Sequence, residues 1–176
     1  MADRGQPRRR SRRKGATLRD GERRQLARAS RQAAAPTPAS PGPADCALLL
    51  CDGGSRGNPG PAAVAAVLVG ADGTPLDSAA QPIGRATAAE AEYRAILLGL
   101  ELARRHGADP IEVRSDSRLA VDALERGTVV HDALAAVVGD VRAAASAFAG
   151  VRWRWHPSGA NEAADALVRG LLWPRA

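Results

Sequence analysis

Four carboxylates, Asp52, Glu92, Asp116 and Asp165, occupy positions from which a folded chain can bring them to one end of a sheet. Asp52 closes the apolar run Ala47-Leu-Leu-Leu-Cys51, which reads as a buried strand delivering the acid at its carboxyl end, because alternation disappears when both faces are covered. Asp116 repeats that geometry after Ile111-Glu-Val113, and Glu92 and Asp165 fall in the early turns of two expected helices. Other acids, such as Asp72, Asp77, Asp122 and Asp140, fall in turns or on helix surfaces. Carboxylates at close range repel, so the set is tolerable only when protons or divalent cations neutralise it, and all-oxygen ligation selects Mg2+ or Mn2+ over zinc. The chemistry this suits is displacement at a phosphodiester, with two ions about 3.5 to 4 Å apart holding the attacking water and the leaving oxygen. Taken alone, the stretch around Asp52 fits a tight hairpin with a turn-capping Asp equally well; its partners decide.

The elements that must position these acids follow from patterning. Beyond Asp52, Gly53, Gly54, Gly57 and Gly60 let backbone approach a bulky ligand, and Asn58-Pro59-Gly60 supplies a turn. Ala62 to Gly70 and Thr74 to Ile83, joined by the turn at Ala71-Asp-Gly73, read as two further antiparallel strands. Thr87 followed by Glu90 is a capping-box signature, opening a helix with Ala91, Ala95, Leu98 and Leu102 on one face and an end at Gly107. A strand at Ile111 to Val113, a helix containing Leu119 and Leu124, a helix from about Asp132 to Phe148, an alternating strand Val151-Arg-Trp-Arg-Trp155 and a last helix from near Asn161 complete the chain. The order β-β-β-α-β-α-α-β-α describes an α/β fold. Its mixed five-stranded sheet holds three antiparallel strands and then two parallel ones, flanked by helices. Ligands of such sheets gather beyond the carboxyl ends of strands near the switch in strand order.

Charge divides the 176 residues into two parts: residues 1–44 hold 12 Lys or Arg against 3 Asp or Glu, and residues 45–176 hold 13 against 16. The net charge is therefore +9 in the first part and −3 in the second, which is the expected catalytic domain. The first part is rich in Arg, Ala, Ser and Pro, with too few large apolar side chains to offset ordering entropy, and is expected to be a disordered basic tail. Thr17 to Ala35 has the Arg spacing to become helical on a polyanion, and Pro36 to Pro43 reads as a spacer. Such an arm suits nucleic acid, although a solubilising tail has the same composition. Cys46 and Cys51 lie five apart in one strand, point to opposite faces and cannot pair with each other, in keeping with a reducing, cytoplasmic setting. No apolar stretch approaches the roughly 18 residues of a membrane span.

DGGSRGNPG (52–60), AEYRAILLGLELA (91–103), SDS (115–117) and NEAADAL (161–167) occur together in an order and at spacings that resemble the type 1 ribonuclease H family, especially its compact bacterial and archaeal members. The resemblance covers about residues 45–172. It implies a monomeric endoribonuclease that hydrolyses the RNA strand of RNA/DNA hybrids using two Mg2+ or Mn2+ ions. Asp52 would bridge both ions, Glu92 and Asp116 would complete one site, and Asp165 the other. The family's Glu directly precedes an aromatic residue, here Tyr93, which favours Glu92 over Glu90; Glu90 is then explained as the helix cap. Gly53, Ser55, Arg56, Gly57 and Asn58 match the loop that lies against the hybrid, where amides and short polar side chains reach phosphates and 2′-hydroxyls. Asn161 is a substrate contact on this reading or an N-cap on the plainer one.

Two departures from the family pattern stand out. Many members carry a His before the last acid for proton transfer or product release; His156 is near that region, yet follows the strand directly and precedes Pro157, so an exposed strand-end His is the alternative. Some members insert a basic helix-loop handle, whereas only one helix fits between Leu124 and Val151, and the Arg-rich tail is the available substitute. Trp153 and Trp155 read as one face of a strand packed under helices, or as a stacking platform. A catalytically silent binding module and a nuclease for double-stranded RNA are the rival functions. Four retained, mutually repelling acids argue against the first. Recognition of backbone shape leaves the second open.

Overall fold

The computed structural model describes residues 45–128 and 131–174. The expectations placed on residues 1–44, a disordered basic tail with a helix-forming stretch at 17–35, lie outside the described residues.

The sheet contains β1 (Ala47–Ser55), β2 (Gly60–Val69), β3 (Pro75–Ala86), β4 (Ile111–Ser115) and β5 (Val151–Trp155), in the spatial order β3-β2-β1-β4-β5. β1 pairs antiparallel with β2, and β2 with β3, while β1–β4 and β4–β5 are parallel, as the patterning led one to expect. The helices are α1 (Ala88–Arg105), α2 (Arg118–Arg126), α3 (Ala135–Ala145) and α4 (Glu162–Leu172). α3 is the one α-helix among the described residues between α2 and β5, so no handle is present there.

β1 is central and buried on both faces, which is why its apolar residues run without alternation. Leu49 and Cys51 join Val64, Ala66, Leu68, Ile96 and Leu100 in the core beneath α1. Leu48 and Leu50 join Ala63, Ala65 and Val67 against Ala164, Val168 and Leu172 of α4 on the other side. The small residues of β2 let both helices lie close to the sheet. At Gly99, an added Cβ would come within 2.7 Å of a Leu49 methyl and 2.9 Å of the Cys51 sulfur. Cys46 and Cys51 are buried free thiols, as their spacing requires.

Several local expectations are refined. Asp52 does not end its strand: β2 carries the antiparallel pairing on to Ser55, opposite Ala62. The parallel pairing with β4, however, stops at Leu50 opposite Arg114, so Asp52 stands just past the carboxyl end of the parallel half of the sheet. The capping box forms by half. The Thr87 hydroxyl accepts from the Glu90 N–H at 3.1 Å, while the Glu90 carboxylate pairs with Arg94 at 2.7 Å, one helical turn on. The helix expected from Asp132 to Phe148 begins as a 3-10 turn (Asp132–Leu134) and stops at Ala145. Bonds from the Ala147 and Phe148 amides to carbonyls three residues back close the chain after it. Trp153 packs against the core, as the strand reading held, whereas Trp155 is 44 % exposed.

Leu49→Ala should lower stability by about 2–5 kcal/mol in urea unfolding, because Leu49 is fully buried between β1 and α1. Leu119→Ala, at a position 84 % exposed, should change it by no more than about 0.5 kcal/mol. Comparable losses at both positions would contradict the core described here.

Candidate active site

Three of the four acids meet. Asp52 from β1, Glu92 from the first turns of α1 and Asp116 just past β4 each offer a carboxylate oxygen, and these oxygens lie within 4.8 Å of one another. Asp52 is 8 % exposed, and Glu92 and Asp116 are partly buried. Gly53 makes the approach possible: a Cβ there would collide with the Ala91 carbonyl group and come within 2.6 Å of the Glu92 amide nitrogen. Glu92 is brought to Asp52 by backbone lying on backbone. Gly53, expected to touch substrate, is thereby placed beneath α1.

Asp165 lies in the first turn of α4, outside that group of three, and forms an ion pair with Arg169 at 2.6 Å. Its charge still reaches Asp52. Burial, then the charges of Asp116 and Asp165, push the Asp52 carboxyl up to about 7, against smaller downward pulls from Arg169 and a hydrogen bond with the Gly53 backbone. Burial, then Asp52 and Asp116, push Glu92 up to about 9, opposed by hydrogen bonds from Ser115 and the Gly53 backbone. The Ser115 hydroxyl donates to Glu92 Oε2 at 3.3 Å. A partly buried, all-carboxylate group in which Asp52 and Glu92 resist ionisation fits a divalent cation bound through oxygen: the cation supplies the positive charge that the fold withholds.

The loop after β1 is tied down on several sides. The Arg56 N–H donates to the Pro61 carbonyl at 2.7 Å, and the Arg56 guanidinium to the Leu172 carbonyl at 3.4 Å. Gly57 has φ of 91°, which only glycine adopts readily. Asn58 accepts from the Ala88 N–H at 3.1 Å, so its side-chain oxygen caps α1 as well as shaping the loop. Ser55 is partly buried, with its hydroxyl oxygen enclosed.

Asn161 and His156 differ from their sequence readings. Asn161 is 1 % exposed, its side chain makes no N-cap hydrogen bond, and its Nδ2 donates to the Cys51 carbonyl at 2.8 Å. It is a strut from the start of α4 to the residue before Asp52, a role that needs a partner 110 residues away and has no local signature. His156 is 8 % exposed, not an exposed strand-end residue. Its amide donates to the Ser115 carbonyl at 3.3 Å and its Nδ1 to the Pro157 carbonyl at 2.9 Å, leaving Nε2 enclosed without a partner. Sequence reasoning also missed Ser115 as a contact of Glu92, although the residue lies within the SDS motif.

A mixed sheet ordered β3-β2-β1-β4-β5, with acids grouped where β1 and β4 part, defines a ribonuclease H-like protein. The family model described as reverse transcriptase-like matches residues 50–170. Bifunctional protein Rv2228c of Mycobacterium tuberculosis is 43% identical over 127 residues, covering 71% of this chain and 35% of that protein. This chain thus spans about a third of the length of that curated relative. The crystal structure of RNase H1 from the halophilic archaeon Halobacterium salinarum superposes with a TM-score of 0.69 at 39% identity, covering 72% of this chain and 96% of that one. LC11-RNase H1 in complex with RNA/DNA hybrid gives a TM-score of 0.66 at 29% identity, covering 70% and 94%. The chain belongs to the ribonuclease H-like family.

The raised carboxyls set a pH dependence for the metal-free protein. Asp52 and Glu92 hold their protons in the folded state to about 7 and about 9, above their ordinary values of 3.8 and 4.5. Folding therefore binds protons across that window, and stability should be greatest below it and fall as pH rises through it. Urea midpoints of metal-free protein should drop between pH 5 and 8.5, and Asp52→Asn should flatten the slope. A midpoint that rises over this range in the wild type would refute the assignment.

Proposed function

We propose that this protein is an endoribonuclease that hydrolyses the RNA strand of RNA/DNA hybrids. The observation that carries the reading is the convergence of Asp52, Glu92 and Asp116 within 4.8 Å, at a place that resists the ionisation of Asp52 and Glu92. The hybrid held by LC11-RNase H1 supports the choice of substrate. Residues 45–176 form the catalytic domain on this reading and residues 1–44 a basic arm. The protein works as a monomer, and two buried free thiols suit a cytoplasmic setting.

Asp52, Glu92 and Asp116 would hold one Mg2+ or Mn2+ ion, and Asp52 with Asp165 a second. When bound, such ions lower the pKa of the attacking water and stabilise the leaving oxygen of an in-line displacement, giving 3′-hydroxyl and 5′-phosphate ends. The chain's own residues orient and enclose. β1 fixes Asp52 by pairing it with Ala65 of β2 just past the last pair with β4, and Ser115 steadies Glu92 in its ionised form. Arg169 offsets part of the negative charge through Asp165. Gly57, Arg56 and Asn58 present a preformed loop to the sugar-phosphate backbone, where A-form shape and 2′-hydroxyls mark the RNA strand.

Matched hybrid, double-stranded RNA and double-stranded DNA should be offered with Mg2+, with Mn2+ and with chelator. Only hybrid in the presence of a cation should be cut. Asp52→Asn should lower cleavage at least about 100-fold while the protein stays folded, whereas Glu90→Gln, which loses only the pair with Arg94, should remain close to wild type. An active Asp52→Asn would end the reading, and preferential cutting of double-stranded RNA would move the substrate.

The arm carries net +9, and its removal leaves a domain of −3. Deleting residues 1–44 should weaken hybrid binding and flatten its salt dependence, because fewer counterions are released, and should weaken duplex DNA binding at least as much. Turnover at saturating hybrid should hold. Binding isotherms at several salt concentrations decide this; equal salt slopes for the two proteins would remove the arm from nucleic-acid binding.

A further inference from the structure

Asp116 lies on a two-residue connection between the end of β4 at Ser115 and the start of α2 at Arg118. A carboxylate on so short a turn points where the flanking peptides let it. The peptide joining Asp116 to Ser117 is gripped at both ends by side chains. Its carbonyl accepts from the indole N–H of Trp155 at 3.0 Å, and its N–H donates to the Ser115 hydroxyl oxygen at 3.1 Å. A peptide group is planar, so restraining its two ends on different partners prevents it from flipping. That restrains ψ of Asp116 and φ of Ser117 together. Ser117 makes no side-chain cap to α2; its carbonyl accepts from the Val121 N–H at 3.0 Å, which ties the far side of the turn to the helix and leaves the Asp116–Ser117 peptide to the two side chains.

The two partners are themselves anchored. Trp155 stands opposite Ser115 in the parallel β4–β5 register, and the next residue, His156, donates its amide to the Ser115 carbonyl at 3.3 Å. The guanidinium of Arg118 lies over the Trp155 ring, 5.3 Å from its centroid, which holds the indole in the plane its N–H needs. Ser115 is wholly buried, and its hydroxyl hydrogen goes to Glu92 Oε2 at 3.3 Å. One hydroxyl therefore accepts from the turn that carries Asp116 and donates to Glu92, so the two carboxylates are set relative to each other through a single oxygen.

We infer that Trp155 and Ser115 are positioning residues for the metal-ligating pair Asp116 and Glu92, acting as a two-ended clamp on the Asp116–Ser117 peptide. The inference rests on the proposal that Asp116 and Glu92 bind a divalent cation. Trp155 works through its N–H, since it meets a carbonyl and contributes no charge to the site. Removing either end of the clamp frees the same peptide, so the two losses overlap.

Isothermal titration of Mn2+ into the full chain tests this with wild type, Asp116→Asn, Trp155→Phe, Ser115→Ala, Ser115→Thr and the Trp155→Phe/Ser115→Ala double variant. Trp155→Phe removes the N–H and keeps the ring face on which Arg118 lies. Trp155→Phe and Ser115→Ala should each weaken Mn2+ about tenfold, the lower end of what outer ligand-orienting contacts contribute. The double variant should fall short of the product of the two, because independent sites multiply and shared ones do not. Ser115→Thr, which retains the hydroxyl, should bind more tightly than Ser115→Ala. In cleavage assays the Mn2+ concentration for half-maximal rate should move by the same factors while KM for hybrid stays put. Wild-type Mn2+ affinity in both Trp155→Phe and Ser115→Ala, or losses that multiply in full, would overturn the clamp. If Trp155→Phe does not fold, the Ser115 pair decides alone, and equal affinity of its Ala and Thr variants overturns the inference. A wild type that binds no Mn2+, or an Asp116→Asn that binds as well as wild type, would instead overturn the metal site itself and the clamp with it.

Discussion

Helix α1 rests on strand β1 with no room for a side chain at Gly53, and the candidate site depends on that contact. Two carboxylates repel whenever both are ionised, so nothing in their own chemistry draws Asp52 and Glu92 together. What holds them is the apolar seam further along the same two elements, where Leu49 and Cys51 meet Ile96, Gly99 and Leu100. The hydrophobic contact is made away from the acids, and the helix transmits it to them as a rigid rod. α4 does the corresponding work on the opposite face, where Val168 and Leu172 seat the helix and Asn161 ties its start to the Cys51 carbonyl. Asp165 is placed by those contacts.

The arrangement has an energetic consequence. Carboxyls that prefer to keep their protons in the folded chain are a source of instability at neutral pH, and the fold tolerates them because the rest of β1 is buried on both faces and paired on both edges. Where one group of residues weakens a structure for the sake of its chemistry, the neighbouring core must compensate. Leu48, Leu49 and Leu50, wholly or almost wholly enclosed, lie immediately before the acid they offset.

Much of this was legible from residue order. The unbroken apolar run before Asp52, the Thr87 cap and the short strand before Asp116 are local patterns, and each produced the element it signalled. The family's motifs then singled out Glu92 over Glu90, and Glu92 is the one beside Asp52. What escaped depends on distant partners. β1 runs past Asp52 because Ala62 and Ala63 of β2 continue to pair with it. Asn161 resembles a helix cap in sequence, yet its amide finds a carbonyl on β1 instead. His156 is enclosed, and its backbone is held by Ser115 on the neighbouring strand. The indole N–H of Trp155 met a backbone carbonyl, a partner that side-chain patterning does not reveal.

Asn58 joins the loop after β1 to the first amide of α1, and Arg85 adds a bond to the Pro59 carbonyl at 3.1 Å. Ordering a free segment costs about 1–2 kcal/mol per residue in backbone entropy. Residues 56–59 have already met that cost during folding, so on the proposed function a nucleic-acid backbone would find the loop in its working shape. Association then keeps more of the interaction free energy, and the difference appears as affinity. Asn58 belongs to the loop and its side-chain oxygen holds the first amide of the helix that carries Glu92, so a displacement of one is felt by the other. In thermodynamic terms the two ends of that bond are linked: on the proposed function, any preference the loop had for a ligand with the cation present would be returned in full as a preference of the acids for the cation with the ligand present.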